Sequence, residues 1–170
     1  MSPLQLLPRI GMVLVLGWLS LLVVASEIDC TYDQPHQVAV LREIASRHPG
    51  AAVSDATGTV SWTNEAKTEM SVQFGGCHHL GFTVSATRAR DIASPEGETF
   101  RVAVELAKGY WDNADSNALE SATTSRSFTK ETTSTGVLYY MEHDSYDEFV
   151  VERELLEGHE RITIRWLRSY

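Results

Sequence analysis

A cysteine followed by two histidines has the residue types of a reactive or metal-binding site. Cys77, His78 and His79 lie between glycines, in the segment 74–81. A thiolate beside a histidine can act as a nucleophile, and sulfur with imidazole nitrogen can bind zinc or copper. Adjacent residues of a strand point to opposite faces, so His78 and His79 share one ion only where the chain turns. The histidines that could complete such a metal site are His36, His48 and His143.

The first 26 residues predict the compartment, which decides whether those thiols are reduced. Arg9 and the amino terminus supply positive charge, Ile10–Val24 is an apolar run, and Ala25-Ser26 precedes acidic residues. This is the order of a secretory signal peptide, and the run is shorter than the ~20 residues of a spanning helix. We predict a signal peptide over 1–26 and a single periplasmic or secreted domain over 27–170. Stable membrane insertion after cleavage is not expected, and retention of the segment as an uncleaved anchor is the alternative.

Export makes a disulfide the simplest interpretation of the cysteines. Cys30 and Cys77 are the only two in the chain, and an even cysteine count in an oxidising compartment indicates a bridge. It would close a loop of about 48 residues, which the chain-entropy model values at roughly 4 kcal/mol. We therefore predict this disulfide and no cofactor. A small hydrolase or metal-dependent enzyme that uses Cys77, His78 and His79 is the alternative.

Carboxylates crowd two predicted turns. Close carboxylates can perform acid–base chemistry or bind calcium, but the second group lacks the glycine and terminal glutamate of a calcium loop. Both are interpreted as solvated acidic turns. Loops on a rigid scaffold usually carry recognition, so we expect the first turn and a nearby Thr-rich segment to bind a partner. The two groups are Glu142, Asp144, Asp147 and Glu148, and then Asp112, Asp115 and Glu120.

Charge and missing motifs favour a binding function. The chain has 14 Lys+Arg and 23 Asp+Glu, for a net charge of −9, which repels nucleic acid and favours basic partners. The sequence contains no Gly-x-Ser-x-Gly elbow, phosphate-binding glycine loop or His-Glu-x-x-His pair, which are signatures of hydrolases, nucleotide-binding proteins and metalloproteases. We therefore predict an exported, non-enzymatic binding module, of the inhibitor or immunity type. It would neutralise a basic protein such as a cell-wall hydrolase or a toxin, and it would not bind nucleic acid.

Two segments have the apolar spacing and end signals of helices. The first runs from a cap at Asp33 to His48 and is followed by Pro49-Gly50. The second starts with a cap at Ser94, and Pro95 takes its first helical position. A helical turn over 116–122 is indicated only weakly. The apolar stripe of the second helix consists of Phe100, Ala103, Val104, Ala107, Tyr110 and Trp111.

Strand patterns occupy much of the remaining sequence. Residues 59–63 alternate, 64–67 have turn chemistry, and every apolar residue from Met70 to Ala86 is even-numbered, so that stretch is one bent strand or two connected strands. Residues 137–141 are β-prone, and 149–166 form a hairpin whose strands carry opposite charges. Ten of the fifteen residues 121–135 are Ser or Thr, which is typical of a flexible loop or an exposed edge strand. The charges of the hairpin are Glu148, Glu152 and Glu154 opposite Arg161, Arg165 and Arg168.

These elements predict an α+β fold. Alternating strands with polar faces favour an antiparallel sheet, and the two amphipathic helices need a surface to cover. We expect about five or six strands with two helices packed on one face of the sheet, and a single disulfide between Cys30 and Cys77. The sequence shows no internal repeat.

Overall fold

The protein has an α+β fold, as predicted, with three helices and one antiparallel sheet. The structure is a computed structural model that describes residues 34–74, 82–90, 95–142 and 147–168. The helices are α1 (Gln34–Arg47), α2 (Glu96–Tyr110) and α3 (Asn113–Ser125). The strands are β1 (Ala52–Ser54), β2 (Thr59–Thr63), β3 (Glu69–Phe74), β4 (Phe82–Ala89), β5 (Thr129–Thr132), β6 (Gly136–Glu142), β7 (Asp147–Leu156) and β8 (His159–Arg168).

In the described residues the sheet has eight strands, in the order β1-β2-β3-β4-β8-β7-β6-β5, so the expectation of five or six strands is wrong. The two additional strands, β1 and β5, are the shortest, with three and four residues. Each half of the chain forms a four-stranded meander preceded by helix, and the halves join where β4 pairs with β8. The topology therefore repeats although the sequence does not.

The alternation from Met70 to Ala86 belongs to two strands, β3 and β4, which pair in antiparallel register. Met70 lies opposite Ala86, and Val72 lies opposite Val84. Even-numbered residues face each other in this register, so the apolar side chains of both strands lie on the same side of the sheet. Of the two predicted arrangements, the pair of connected strands is the one present.

The described residues form three helices instead of the predicted two, and the third, α3, includes the weakly indicated helical turn over 116–122. α1 packs on β1, β2 and β3, α2 packs across β4, β8 and β7, and α3 packs against α2. α3 begins at an N-cap, where the Asp112 side chain accepts a hydrogen bond from the Asp115 backbone N–H at 2.9 Å. Asp115 is itself buried. The interpretation of this acidic group as a solvated turn is therefore wrong, because Asp112 caps α3, Asp115 lies in its first turn and Glu120 lies within the helix.

The predicted helix ends agree closely with the structure where they are described. α1 ends at Arg47, one residue before the predicted end, and Gly50 beyond it has a positive φ of 79°. α2 begins at Glu96, so Pro95 is the N-cap rather than the first helical residue. The predicted caps Asp33 and Ser94 lie outside the described residues.

The core lies between the helices and one face of the sheet. Leu41 of α1, Leu106 of α2 and Leu119 of α3 meet sheet residues such as Val72 and Ile164 there. All five side chains are less than one-tenth exposed. Burying each contributes about 1.5–3 kcal/mol relative to leaving it in water.

A buried carboxylate joins α2 to the sheet. Glu160 of β8 is 1% exposed. Its Oε1 accepts a hydrogen bond from Arg88 Nε, and its Oε2 accepts one from Arg153 Nε, both at 2.9 Å. Nη2 of each arginine forms an ion pair with the same oxygen at 2.8 Å. Arg88 also donates to Glu98 of α2 at 3.0 Å. Hydrogen bonds from Arg101 and Arg88 lower the pKa of Glu98 to about 2.

Candidate functional site

The cysteine-centred site lies outside the described residues. Cys30, Cys77, His78 and His79 all belong to segments that the structure does not describe. The disulfide, and the nucleophile or metal site proposed as its alternative, therefore remain predictions. Among the residues that are described, no group of three His, Cys, Asp or Glu side chains could hold a metal ion.

The sheet has a second face that no described helix covers. Its residues alternate with the core residues along each strand, and they are mainly hydroxyl-bearing or charged. A shallow depression of about 460 Å³ lies on this face over the central strands. We call this surface the open face. Its residues include Ser61, Ser71, Gln73, Ser85, Thr87, Leu138, Tyr140, Glu142, Glu148, Glu152, Glu154, Arg161, Thr163 and Arg165.

The open face is neutralised over β7 and β8, as the opposite charges of that hairpin predict. Arg165 and Glu152 form an ion pair at 2.6 Å, and Arg161 and Glu154 form one at 3.3 Å. Arg161 also donates to Thr87 of β4 at 3.2 Å. These cross-strand pairs are worth roughly 0.2–1 kcal/mol each, and they leave little net charge in the middle of the face.

At one end of the open face two like charges stand opposite each other. Glu142 and Glu148 are Cα partners in the β6–β7 pair, close to where the two strands meet the segment 143–146. Neither forms an ion pair with any residue in the described ranges. Like charges directly opposite across a strand pair are destabilising. Glu142 and Glu148 therefore repel each other, whereas Glu152 and Glu154 of β7 are each paired with an arginine.

The other two residues of the predicted acidic turn are described less fully. The backbone of Asp147 begins β7 opposite Arg168, and its side chain lies outside the described part. Asp144 and His143 are also outside it. Of the four predicted partner-binding residues, the structure brings Glu142 and Glu148 together.

The Thr-rich segment is neither a single loop nor entirely a strand. Its first residues form the end of α3, Arg126 caps that helix in the left-handed conformation, and β5 follows as the edge strand of the sheet. Phe128 packs on Phe100 and Tyr139, with ring centroids 5.0 and 5.4 Å apart. This aromatic contact fixes the segment to the core, so the predicted edge strand is correct for β5 and the flexible loop is not.

The Thr-rich segment and the Glu142–Glu148 pair line the same cleft. The cleft has a volume of about 720 Å³ and lies beside the edge of the sheet. The two surfaces that the sequence analysis expected to bind a partner are therefore adjacent. The residues around the cleft are Arg126, Ser127, Phe128, Thr129, Tyr140, Glu142 and Glu148.

Tyr140 links this cleft to a third carboxylate. Its Oη donates a hydrogen bond to Glu131 of β5 at 3.1 Å. Partial desolvation raises the pKa of the Tyr140 phenol, and Glu131 and Glu148 raise it further through the hydrogen bond and their charges. The phenol therefore stays protonated and neutral at physiological pH. We call the group of Glu131, Glu142 and Glu148 around Tyr140 the acidic corner.

The described histidine side chains, His48 and His159, make packing and hydrogen-bond contacts. The His48 ring stacks on Trp62, with centroids 4.1 Å apart and planes 8° from parallel, and its Nε2 lies 3.4 Å from the Tyr110 Oη. Burial raises the pKa of Tyr110. His159 is exposed at the start of β8, with Nδ1 3.1 Å from the Glu157 carbonyl oxygen. The His48 group closes the core between α1 and α2, and it has no nucleophile or carboxylate partner among the contacts described.

Three residues of this region were not predicted from the sequence: Glu131, Tyr140 and Arg126. Glu131 and Arg126 stand among hydroxyl residues that resemble a loop, and Tyr140 stands in a run of apolar residues that resembles core. Alternation within residues 137–141 would have placed Tyr140 opposite in direction to Tyr139 and Met141. That signal could have assigned Tyr140 to the open face.

Comparison with protein-family models, with curated proteins and with solved structures gives no match for this chain. Within the described ranges, no helix has the length and apolar character needed to cross a bilayer. The geometry of the acidic corner and the open face is therefore the basis for assigning a function.

Proposed function

We propose that this protein is an exported, non-enzymatic binding module that neutralises a basic protein through the acidic corner. The direct opposition of Glu142 and Glu148, neither of which forms an ion pair with a described residue, carries the proposal. A Lys or Arg side chain of a partner would relieve that repulsion and form charge-assisted hydrogen bonds with both carboxylates. A basic cell-wall hydrolase or a toxin is the kind of partner that suits an exported protein with a net charge of −9.

The environment of the acidic corner favours binding of a partner protein over catalysis. Its carboxylates lie on the exposed side of a rigid sheet, and the cleft beside them is open to solvent. General acid–base catalysis favours carboxyl groups whose pKa lies near the working pH, which requires burial or a close like charge in a dry site. Tyr140 at the centre of the acidic corner is partly exposed, and Tyr is enriched at protein interfaces.

If the proposed function is correct, binding of the basic partner depends on the negative charge of the acidic corner. The triple variant Glu131→Gln, Glu142→Gln, Glu148→Gln keeps the side-chain shapes and removes three negative charges. Immobilised wild-type protein should retain a basic protein from periplasmic extract at low salt and release it as ionic strength rises, since exposed charges are screened within about 10 Å at 0.1 M salt. The triple variant should retain much less of the same protein.

A matched control variant removes three negative charges from glutamates outside the acidic corner. Glu65 lies in the β2–β3 turn, Glu69 begins β3, and Glu157 lies in the β7–β8 turn. Replacing all three by Gln should leave retention at the wild-type level. Equal retention by both triple variants, or retention of only neutral or acidic proteins, would contradict the proposed function.

A further inference from the structure

β5 presents an unpaired backbone edge in the described part of the protein. It is the last strand in the sheet order and pairs on one side only, with β6. All four of its residues are exposed. An edge strand of this kind offers N–H and C=O groups to which a further strand can be added.

The register identifies which backbone groups point outward. The Thr133 N–H donates to the Gly136 carbonyl oxygen at 2.9 Å, which makes these two residues a hydrogen-bonded pair. Hydrogen-bonded and non-hydrogen-bonded pairs alternate along an antiparallel ladder. Glu131 is therefore bonded to β6, while the N–H and C=O groups of Lys130 and Thr132 point away from the sheet.

The charged side chains of β5 leave this edge accessible because each is bound to a residue on one face of the sheet. Lys130, on the helix side, forms an ion pair with Glu96 at 2.7 Å, and its Nζ lies 5.5 Å from the centre of the Tyr139 ring. Glu131, on the open face, accepts the hydrogen bond from Tyr140. A lysine on an edge strand usually hinders pairing, but this one is directed toward α2.

A second copy of the chain is a poor occupant of this edge. If that copy pairs symmetrically about the middle of β5, a two-fold axis normal to the sheet places either Lys130 or Glu131 opposite its own copy. Like charges directly opposite are destabilising in either register. A different chain, with a basic residue facing Glu131, avoids both repulsions.

We propose that the partner binds by adding a β-strand to β5, with a Lys or Arg of that strand opposite Glu131. In an antiparallel arrangement, Glu131 would occupy a non-hydrogen-bonded pair on the partner side, where opposing side chains are closest. Glu142 and Glu148 lie on β6 and β7, one and two strands inside β5, so basic residues of the partner outside the added strand would contact them. This inference rests on the proposed function and specifies the geometry of that interface.

The experiment uses a short end-blocked peptide of alternating valine and lysine as the probe, added to the full mature protein at concentrations up to about 1 mM, the weak end of the affinity scale. Amide exchange is followed residue by residue by NMR. In the free protein, the amides of Lys130 and Thr132 should exchange rapidly and that of Glu131 slowly. At saturation, exchange at Lys130 and Thr132 should slow by about tenfold or more, because their N–H groups become bonded.

Two substitutions at one position provide the matched variants. Thr132→Pro removes an outward N–H, which edge strands tolerate, while Thr132→Val keeps it. The proline variant should bind the peptide roughly 2- to 12-fold more weakly, the effect expected for one lost hydrogen bond. The valine variant should bind like the wild type, and a peptide with glutamate in place of lysine should not bind.

Several results would overturn strand addition. Peptide binding that is weakened by the Gln substitutions in the acidic corner, but leaves the Lys130 and Thr132 amides unprotected, would refute it and leave the proposed function standing. Protection of both amides in the free monomer would show that the chain covers its own edge. Protection that appears with dimerisation would assign the edge to a second copy. Absence of any peptide binding refutes strand addition, whereas equal capture by the two triple variants refutes the proposed function itself.

Discussion

Removing the charge of Glu160 should destabilise the protein more than any exposed charge substitution. The Glu160→Gln variant keeps the size of the side chain but replaces one carboxylate oxygen with an NH₂ group. That group would face the N–H donors of Arg88 or Arg153. Each arginine donates a hydrogen bond from Nε at 2.9 Å and forms an ion pair through Nη2 at 2.8 Å. Two donors would then face another donor, and both guanidinium groups would lose their shared anion.

The magnitude follows from burial and from the number of bonds. Hydrogen bonds to charged groups contribute about 1.5–3 kcal/mol each, and breaking a buried ion pair by removing one partner costs about 3–5 kcal/mol. Arg88 keeps its bond to Glu98, and the two arginine side chains are 24% and 17% exposed, so water compensates part of the loss. We therefore expect a decrease of about 3–5 kcal/mol in the free energy of unfolding, a large share of the roughly 5–15 kcal/mol typical of a domain.

Urea unfolding followed by tryptophan fluorescence would measure this change, with linear extrapolation to water. Glu43→Gln is the matched control, because Glu43 pairs with Arg47 on the surface and both side chains are 62% exposed. That substitution should change stability by no more than about 1 kcal/mol. If Glu160→Gln also cost less than about 1 kcal/mol, the carboxylate would not be the buried centre of a network with Arg88 and Arg153.

Three further predictions concern stability. The pKa of Glu98 is about 2, against an ordinary value of 4.5. Its ionised form therefore stabilises the fold above pH 4.5, and this contribution is lost as pH falls toward 2. In the Glu98→Gln variant, the free energy of unfolding should fall less steeply between pH 4.5 and 2. Gly136→Ala should destabilise by about 1–3 kcal/mol or more in thermal unfolding, because the new Cβ would lie 1.9 Å from a backbone oxygen of β7. Gly97→Ala, in the first turn of α2, meets nothing within 4 Å and should stabilise by at most about 0.5–1 kcal/mol, the value for the middle of a helix. His48→Ala should lower stability by about 0.5–1.5 kcal/mol through loss of its stack on Trp62, and an unchanged denaturation midpoint would contradict that packing.

Local patterns in the sequence predicted the central elements of the fold. Alternation predicted β2, the even-numbered apolar faces of β3 and β4, and the charged hairpin of β7 and β8. Apolar spacing with Pro and Gly at the ends predicted α1 and α2 to within a few residues. These predictions succeed because amphipathic periodicity is a property of neighbouring residues, and burial of one face is what each such element requires.

Short elements and the acidic corner needed long-range contacts. β1 has three residues and β5 has four polar ones, so neither carries a pattern that distinguishes it from a loop. β5 is a strand because it pairs with β6 and because Phe128 beside it packs on Phe100 and Tyr139. The sequence indicated Glu142 and Glu148 as a partner surface, but not their direct opposition or the adjacent Glu131 and Tyr140.

Glu160 shows most clearly what tertiary structure alone decided. In the sequence it follows the turn at Gly158 and resembles one more surface charge of an acidic protein. Pairing of β8 with β4 brings Arg88 beside it from 72 residues away, and pairing with β7 brings Arg153. The sequence by itself determined which residues could share a face, since spacing is local. Which strands became neighbours, and hence which charges are buried together and which remain on the open face, depends on pairings between distant segments that spacing does not encode.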